Sequence, residues 1–170
     1  VLGNASAAQQ YETLAKNIRS AWWTEYGNGD GTIRRPTQAN YARALAFRLA
    51  PDDRHEQVAQ RLVELIRAAG THVGTGTFGT CILLPVLADA GHADVAYELL
   101  LQDTPPSWMT MMDRGATTIW EMWDGVDQTG KAHFSLNHFS LGSVISFMHT
   151  HIAGIRLGKN SPAYRRFRVA

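Results

Sequence analysis

Hydrophobic residues recur at three- and four-residue steps along most of the chain, which is the pattern of amphipathic helices. In residues 5–26 the apolar positions fall on one face: Tyr11, Leu14, Ala15, Ile18, Ala21 and Trp22. The same periodicity predicts further helices over about 37–49, 51–69, 80–90, 93–102, 107–112 and 137–155. In the helix predicted over 37–49, the inward positions are expected to be Tyr41, Ala44, Leu45 and, toward a flank, Phe47.

Local signals mark several of the predicted helix ends. Thr37 and Ser107 stand where N-capping side chains belong, and Gly70 stands where a glycine ends a helix. Because the connections between successive helices are short, neighbouring helices are expected to form antiparallel hairpins. The sequence therefore indicates an all-α fold, arranged as a helical toroid or an irregular bundle. Residues 164–169 alternate like an edge strand, and we expect this strand to have no partner in the chain.

Size and charge exclude several classes of function. A chain of 170 residues fits one domain or part of a larger one. Its 16 basic and 15 acidic residues are interspersed, so no basic stripe is present to bind nucleic acid. The longest apolar run is far shorter than the ~20 residues of a membrane helix, so no membrane insertion is expected. The sequence shows no targeting segment but also does not begin with methionine, which leaves the cellular compartment open.

Cysteine and histidine usage excludes other kinds of site. A single cysteine, Cys81, rules out an internal disulfide framework, and its apolar surroundings are typical of a buried thiol. The seven histidines do not fall at zinc-binding spacings. No metal site is therefore predicted.

The most distinctive stretch is 115–125, with the sequence Gly-Ala-Thr-Thr-Ile-Trp-Glu-Met-Trp-Asp-Gly. It carries Trp120 and Trp123 beside Glu121 and Asp124, with Trp108 upstream and His138 downstream. Aromatic rings, a placed carboxylate and a nearby imidazole are the components of a site that cleaves sugars. The alternative is a turn whose tryptophans fill a core and whose carboxylates are solvated. The residue types alone leave both interpretations open.

Several blocks of sequence together resemble a known family. They are TGTFGT at 75–80, LLP at 83–85, ADAG at 88–91, PSW at 106–108, the stretch 115–125 and SLNHF at 135–139. Their order and spacing are similar, over roughly residues 10–157, to the catalytic domain of bacterial and fungal α-L-rhamnosidases, glycoside hydrolase family 78.

That resemblance implies an architecture for the chain. The family's catalytic domain is an (α/α)6 barrel of twelve helices, so the helices predicted here would form about half of the barrel. We therefore expect residues 1–158 to be the C-terminal part of the barrel. Residues 159–170 are expected to be the truncated start of a following β-sandwich domain.

The resemblance also implies a reaction, the hydrolysis of terminal α-L-rhamnosides with inversion. An inverting glycosidase uses one carboxylic acid to protonate the leaving oxygen and one carboxylate to activate water. By resemblance, Glu121 is the general base, and the general acid lies outside this chain. The chain alone is therefore expected to be inactive. No cofactor and no metal are implied.

The other candidate site residues follow from the same resemblance, and each has a structural alternative. His138 is similar to a residue that contacts the bound sugar, but a histidine there could instead cap a helix or lie in the core. Trp108, Trp120 and Trp123 fall in cleft-lining segments and could equally belong to the core. Asp124 could orient Glu121, although an aspartate before Gly125 is also typical of a turn.

The implied partner is a rhamnosylated glycoside or oligosaccharide. Two other functions stay open: an (α/α)6 glycosidase with a different sugar specificity, and a non-catalytic helical binding or scaffold module. Half a barrel would also leave the apolar faces of its first and last helices uncovered. We therefore expect possible self-association through this exposed seam.

Overall fold

The computed structural model describes residues 3–158 and 161–170, which are mainly helical. Its α-helices are α1 (Ala5–Tyr26), α2 (Gln38–Ala46), α3 (His55–Ala68), α4 (Thr77–Asp89), α5 (Ala93–Leu100), α6 (Trp108–Asp113), α7 (Phe139–Gly142) and α8 (Val144–Phe147). A π-helical turn, Met148–Ile152, continues α8, and 3-10 turns lie at Asp52–Arg54 and Pro162–Tyr164. The strands are β1 (Ile155–Leu157) and β2 (Phe167–Val169).

The helices form antiparallel hairpins, as predicted from their short connections. Helix α3 packs against α2, and α5 packs against α4. Helices α2 and α4 are parallel neighbours, because a Cβ at Gly79 near the start of α4 would lie 3.3 Å from the Cβ of Ala39 near the start of α2. At the far end of α4, Asp89 contacts His151 in the π-helical turn, with 3.1 Å between Oδ1 and Nε2. The run 139–152 is therefore parallel to α4 as well.

Most of the core lies where helices α2, α3, α4 and α5 pack together. Helix α3 contributes a stripe at four-residue spacing, Val58, Leu62 and Ile66, whose side chains are fully buried. Helix α4 is apolar on nearly all sides because it contacts α2, α5, α7 and α8. Its Leu83, Leu84 and Leu87 side chains are fully buried, whereas Phe78 at its start is exposed.

The predicted ends of several helices are confirmed. The Thr37 hydroxyl accepts the backbone N–H of Asn40 at 3.2 Å, and the Ser107 hydroxyl accepts that of Thr110 at 3.2 Å. Gly70 follows α3 with a φ of 67°, in the left-handed region that glycine adopts without steric cost. These contacts fix where the connecting loops begin and end.

The last predicted helix is less regular than its periodicity indicates. Instead of one helix over 137–155, the chain forms α7, a break at Ser143, α8 and the π-helical turn. Gly154 ends the run with a φ of 68°. A Cβ at this position would lie 2.3 Å from the backbone oxygen of Ala170, so the glycine also permits the C-terminal backbone to pass closely.

The expectation of an unpaired C-terminal strand is wrong. Strand β2 pairs with β1 in an antiparallel sheet, with Arg168 opposite Arg156. The predicted helix over 137–155 ends at the first residue of β1, and no element was predicted for the other two residues of that strand. The expected start of a β-sandwich at 159–170 stays a prediction, and its boundary falls at residues 159–160, which lie outside the described residues.

Two apolar surfaces are exposed, one at each end of the chain. On α1, the side chains of Tyr11, Leu14 and Ile18 are at least half exposed, although Trp22 packs against the core. On the last helical run, Ile145 is 64% exposed. Phe47 is 58% exposed, so the expectation that it packs inward is wrong: it lies just after α2, whose last residue is Ala46.

Within residues 3–158 and 161–170, no helix is both long enough and apolar enough to cross a bilayer.

Candidate functional site

The stretch that carries Glu121 folds back on a second segment to form a hairpin-like loop, residues 119–138, which we call the Glu121 loop. Backbone hydrogen bonds of 2.7–3.0 Å join its two arms. The donor and acceptor pairs are His138 to Ile119, Glu121 to Ser135, His133 to Gly125 and Asp127 to Lys131. The loop is therefore ordered along its whole length by pairing rather than by helix formation.

The fold places this loop at one end of helices α2 and α4. His138 is the N-cap residue of α7, and the run 139–152 is parallel to α4 and α2. The Glu121 loop therefore lies at the end where α2 and α4 also begin. That end is electropositive because the first N–H groups of a helix have no intrahelical partner.

Glu121 is half-buried in one arm of the loop. Its Oε2 accepts the backbone N–H of Ser135 at 3.2 Å, and its own N–H donates to the Ser135 carbonyl at 2.9 Å. A hydrogen bond from a backbone N–H fixes the orientation of the carboxylate oxygen that accepts it. A carboxylate that is oriented and still partly accessible can accept a proton from water.

His138 is half-buried at the other end of the loop and caps α7. Its Nδ1 accepts the backbone N–H of Ser140 at 3.1 Å, and its ring stacks on Phe139 with centroids 4.8 Å apart. The helix-capping alternative is thus confirmed. It does not exclude a ligand contact, because a neutral imidazole that accepts at Nδ1 carries its proton on Nε2 and can donate it.

Trp120 and Trp123 belong to the loop itself, and Trp108 is the first residue of α6. Trp108 is 4% exposed and Trp120 is 3% exposed, and the Nε1–H of Trp108 donates to the Leu141 carbonyl at 3.0 Å. Trp123 is half-buried and meets Trp108 edge-on, with centroids 5.1 Å apart. The packing of Trp108 and Trp120 supports the core interpretation and leaves little ring surface for a sugar. Their contribution is to hold the two arms against α6 and α7.

Asp124 is exposed at the bend between Glu121 and Gly125. The Gly125 N–H donates to the Met122 carbonyl at 3.0 Å, which closes the turn. A Cβ at Gly125 would lie 3.0 Å from the Cβ of Trp120, so only glycine fits without displacement. This geometry favours the turn interpretation of Asp124.

Sequence reasoning missed a hydrogen-bonded Asp–His pair at the tip of the loop. Asp127 Oδ2 lies 2.8 Å from His133 Nε2, and both side chains are partly exposed. The Thr129 hydroxyl, the His133 imidazole and the Lys131 N–H hold the pKa of Asp127 well below its usual range. The Asp-x-Thr-Gly sequence of 127–130 was a signal for this turn, because an aspartate often accepts N–H groups from the two to four residues that follow it.

The sequence predicted no role for Ser135. In the structure its backbone is the direct partner of Glu121. Local sequence patterns could not reveal this contact, because it joins positions 14 residues apart across a loop.

Across the described part of the chain, no group of three or more His, Cys, Asp or Glu side chains is placed to hold a metal ion.

Comparison with known proteins gives a consistent result. Residues 1–152 match the model of the bacterial alpha-L-rhamnosidase 6 hairpin glycosidase domain. A curated alpha-L-rhamnosidase of Streptomyces avermitilis is 44% identical over 156 residues, which cover 89% of this chain and 15% of that protein. The chain thus spans less than a fifth of that relative's length.

Solved structures show the same similarity. The crystal structure of Streptomyces avermitilis alpha-L-rhamnosidase complexed with L-rhamnose superposes with a TM-score of 0.88 at 43% identity, covering 95% of this chain and 16% of that one. The native enzyme from Aspergillus terreus superposes with a TM-score of 0.91 at 30% identity, covering 99% and 20%. These matches confirm the predicted fold class, a part of an (α/α)6 six-hairpin barrel.

Proposed function

The chain belongs to the family of bacterial α-L-rhamnosidase six-hairpin glycosidase domains, and from this premise we propose that it is part of an inverting hydrolase that removes terminal α-L-rhamnose from glycosides. The observation that carries the proposal is the half-buried Glu121 carboxylate, held by the Ser135 N–H in the Glu121 loop. Such a group has the accessibility and the orientation that a general base requires.

In the proposed reaction Glu121 removes a proton from a water molecule, and the resulting oxygen nucleophile attacks the anomeric carbon of rhamnose. The bond to the leaving oxygen breaks at the same time, and a carboxylic acid protonates that oxygen. Inverting enzymes hold the two carboxyl groups ~6.5–9.5 Å apart so that water fits between sugar and base. We assign the acid to a segment of the full-length protein outside this chain.

His138 is proposed to bind the sugar rather than to transfer a proton. Its Nδ1 is occupied by the Ser140 N–H, which leaves Nε2 as a donor to a sugar hydroxyl. Trp108 and Trp120 support the loop from behind, and we assign ring contact with the sugar, among the tryptophans, to the less buried Trp123. Asp124 is proposed to keep the turn next to Glu121 rather than to contact rhamnose.

A panel of nitrophenyl glycosides tests the substrate class. The full-length protein is expected to hydrolyse the α-L-rhamnoside, and the isolated 170-residue chain is expected to be inactive, because the acid lies outside it. Higher kcat/KM on another glycoside would favour the alternative of a different sugar specificity. Turnover by the isolated chain would contradict the placement of the acid.

The exposed apolar faces of α1 and the last helical run lead to a further expectation for the isolated chain. We propose that it self-associates through them, because contiguous apolar surface in water favours association. Light scattering should show dimers or larger species, and Ile145→Glu should reduce them, whereas the matched change at the exposed neighbour, Ser146→Glu, should not. A monodisperse monomer would contradict this expectation.

A further inference from the structure

We propose that Phe134 and Ser135 are positioning residues for the Glu121 carboxylate, and that they act through their backbone rather than through their side chains. This inference rests on the proposed function, because it concerns the base of that reaction. It assigns to two residues a role that the resemblance to rhamnosidases does not supply.

The first observation is an exchange of partners in the pairing of the Glu121 loop. In a regular antiparallel pair, two opposite residues exchange both of their N–H to carbonyl hydrogen bonds. Glu121 and Ser135 make one of them, from the Glu121 N–H to the Ser135 carbonyl at 2.9 Å. The Ser135 N–H instead donates to the Glu121 side chain, at 3.2 Å from Oε2. The loop thus uses a backbone donor to orient the carboxylate.

The second observation is the backbone of the preceding residue. Phe134 has a φ of 61°, in the left-handed region that is unfavourable for a bulky side chain. Its ring is 73% exposed, so burial of the ring does not explain the conformation. The peptide plane between Phe134 and Ser135 determines where the Ser135 N–H points. Backbone strain of this kind persists where the surrounding structure over-determines it, often at functional sites.

The third observation is that the backbone around Ser135 is held on both sides. The Asn137 N–H donates to the Ser135 hydroxyl at 3.2 Å, and the Thr118 hydroxyl donates to the Leu136 carbonyl. On the other side, the His133 N–H donates to the Gly125 carbonyl at 2.7 Å. These bonds limit rotation of the peptide groups next to Ser135, so its N–H keeps a fixed direction.

The consequence for the reaction is a separation of roles between the two carboxylate oxygens. Oε2 accepts the Ser135 N–H, and Oε1 can then accept the proton of the attacking water. Because this contact orients the base and does not touch the sugar, its loss should lower kcat with little effect on KM.

The experiment uses the full-length protein and an aryl α-L-rhamnoside. Ser135→Pro removes the N–H, and kcat is expected to fall about 10- to 100-fold, the effect of losing one hydrogen bond to a charged group. KM is expected to stay within about threefold, because sugar binding is not disturbed. Ser135→Ala keeps the N–H and should lose less kcat than the proline variant. The control is Gln128→Pro, at an exposed turn position that accepts proline, with kcat near that of the wild type.

A second pair of variants tests the backbone of Phe134, and also decides the matter if Ser135→Pro does not fold. Phe134→Gly allows the left-handed conformation and should keep kcat, whereas Phe134→Val disfavours it and should lower kcat. Equal losses in both variants would overturn the backbone role.

A Ser135→Pro enzyme with wild-type kcat would overturn the inference if Glu121→Gln were still inactive. Activity in Glu121→Gln would instead overturn the proposed function itself, so the two failures can be distinguished.

Discussion

Glu121→Gln in the full-length protein is expected to lower kcat about 100- to 10,000-fold, the range that general acid–base groups contribute. The amide has nearly the same shape as the carboxylate, so the Ser135 N–H can still donate to the side-chain oxygen. What is lost is the ability to accept a proton from water. The measurement is kcat on an aryl α-L-rhamnoside, with the melting temperature recorded alongside.

A matched control for this variant is Glu64→Gln. Glu64 lies on α3, where its Oε2 is 2.8 Å from Arg61 at an exposed surface, and such pairs contribute little to stability. The kcat of the Glu64→Gln variant should equal that of the wild type. If Glu121→Gln also retained wild-type kcat, Glu121 would not be the base, and a structural or scaffold role for the loop would be favoured.

The second large effect is expected at His138, where two roles can be separated by choice of substituent. Asparagine is a good N-cap, so His138→Asn should keep the end of α7 intact. It lacks the Nε2 donor, and kcat/KM should fall about 10- to 100-fold if that donor binds the sugar. His138→Ala removes the cap as well and should also destabilise the protein by about 1 kcal/mol.

The comparison of the two variants decides between the roles. Wild-type kcat/KM in His138→Asn, with a lower melting temperature only in His138→Ala, would show that the histidine is a cap and nothing more. A loss of kcat/KM in both, with a stability loss in the alanine variant alone, is the expected result. Circular dichroism melting curves and initial rates are sufficient to measure it.

The helices could be predicted from the sequence because their signals are local. Helix α1 spans the predicted residues 5–26, and Thr37, Ser107 and Gly70 mark helix ends as expected. Helical periodicity and capping contacts relate residues no more than about four positions apart, so the sequence shows them directly.

The β1–β2 pair could not be predicted in the same way. Ile155 lies three residues after Ile152 and so continues the spacing of the preceding helix, and only Gly154 indicates that the helix ends before it. The paired residues are 10 to 14 positions apart, from Leu157–Phe167 to Ile155–Val169, and pairing over that distance depends on the path of the chain between the strands. The alternation of 164–169 therefore predicted a strand but not its neighbour.

The candidate site shows the same division between local and distant information. Sequence blocks identified Glu121 and His138 through their resemblance to a family, and the structure brings them into one loop. Residue type alone could not decide whether Trp108 and Trp120 lie in a core or a cleft, and their burial favours the core. The Ser135 contact was not predictable at all, because its backbone group carries no sequence signature.

We propose that this chain contributes the base of an inverting α-L-rhamnosidase, and the anomeric form of the released sugar tests this proposal most directly. Proton NMR of the full-length protein acting on an aryl α-L-rhamnoside records the product before it mutarotates. We expect β-L-rhamnose as the first product, because water activated by Glu121 attacks from the face opposite the leaving group. Initial release of α-L-rhamnose would contradict it and would indicate a covalent intermediate.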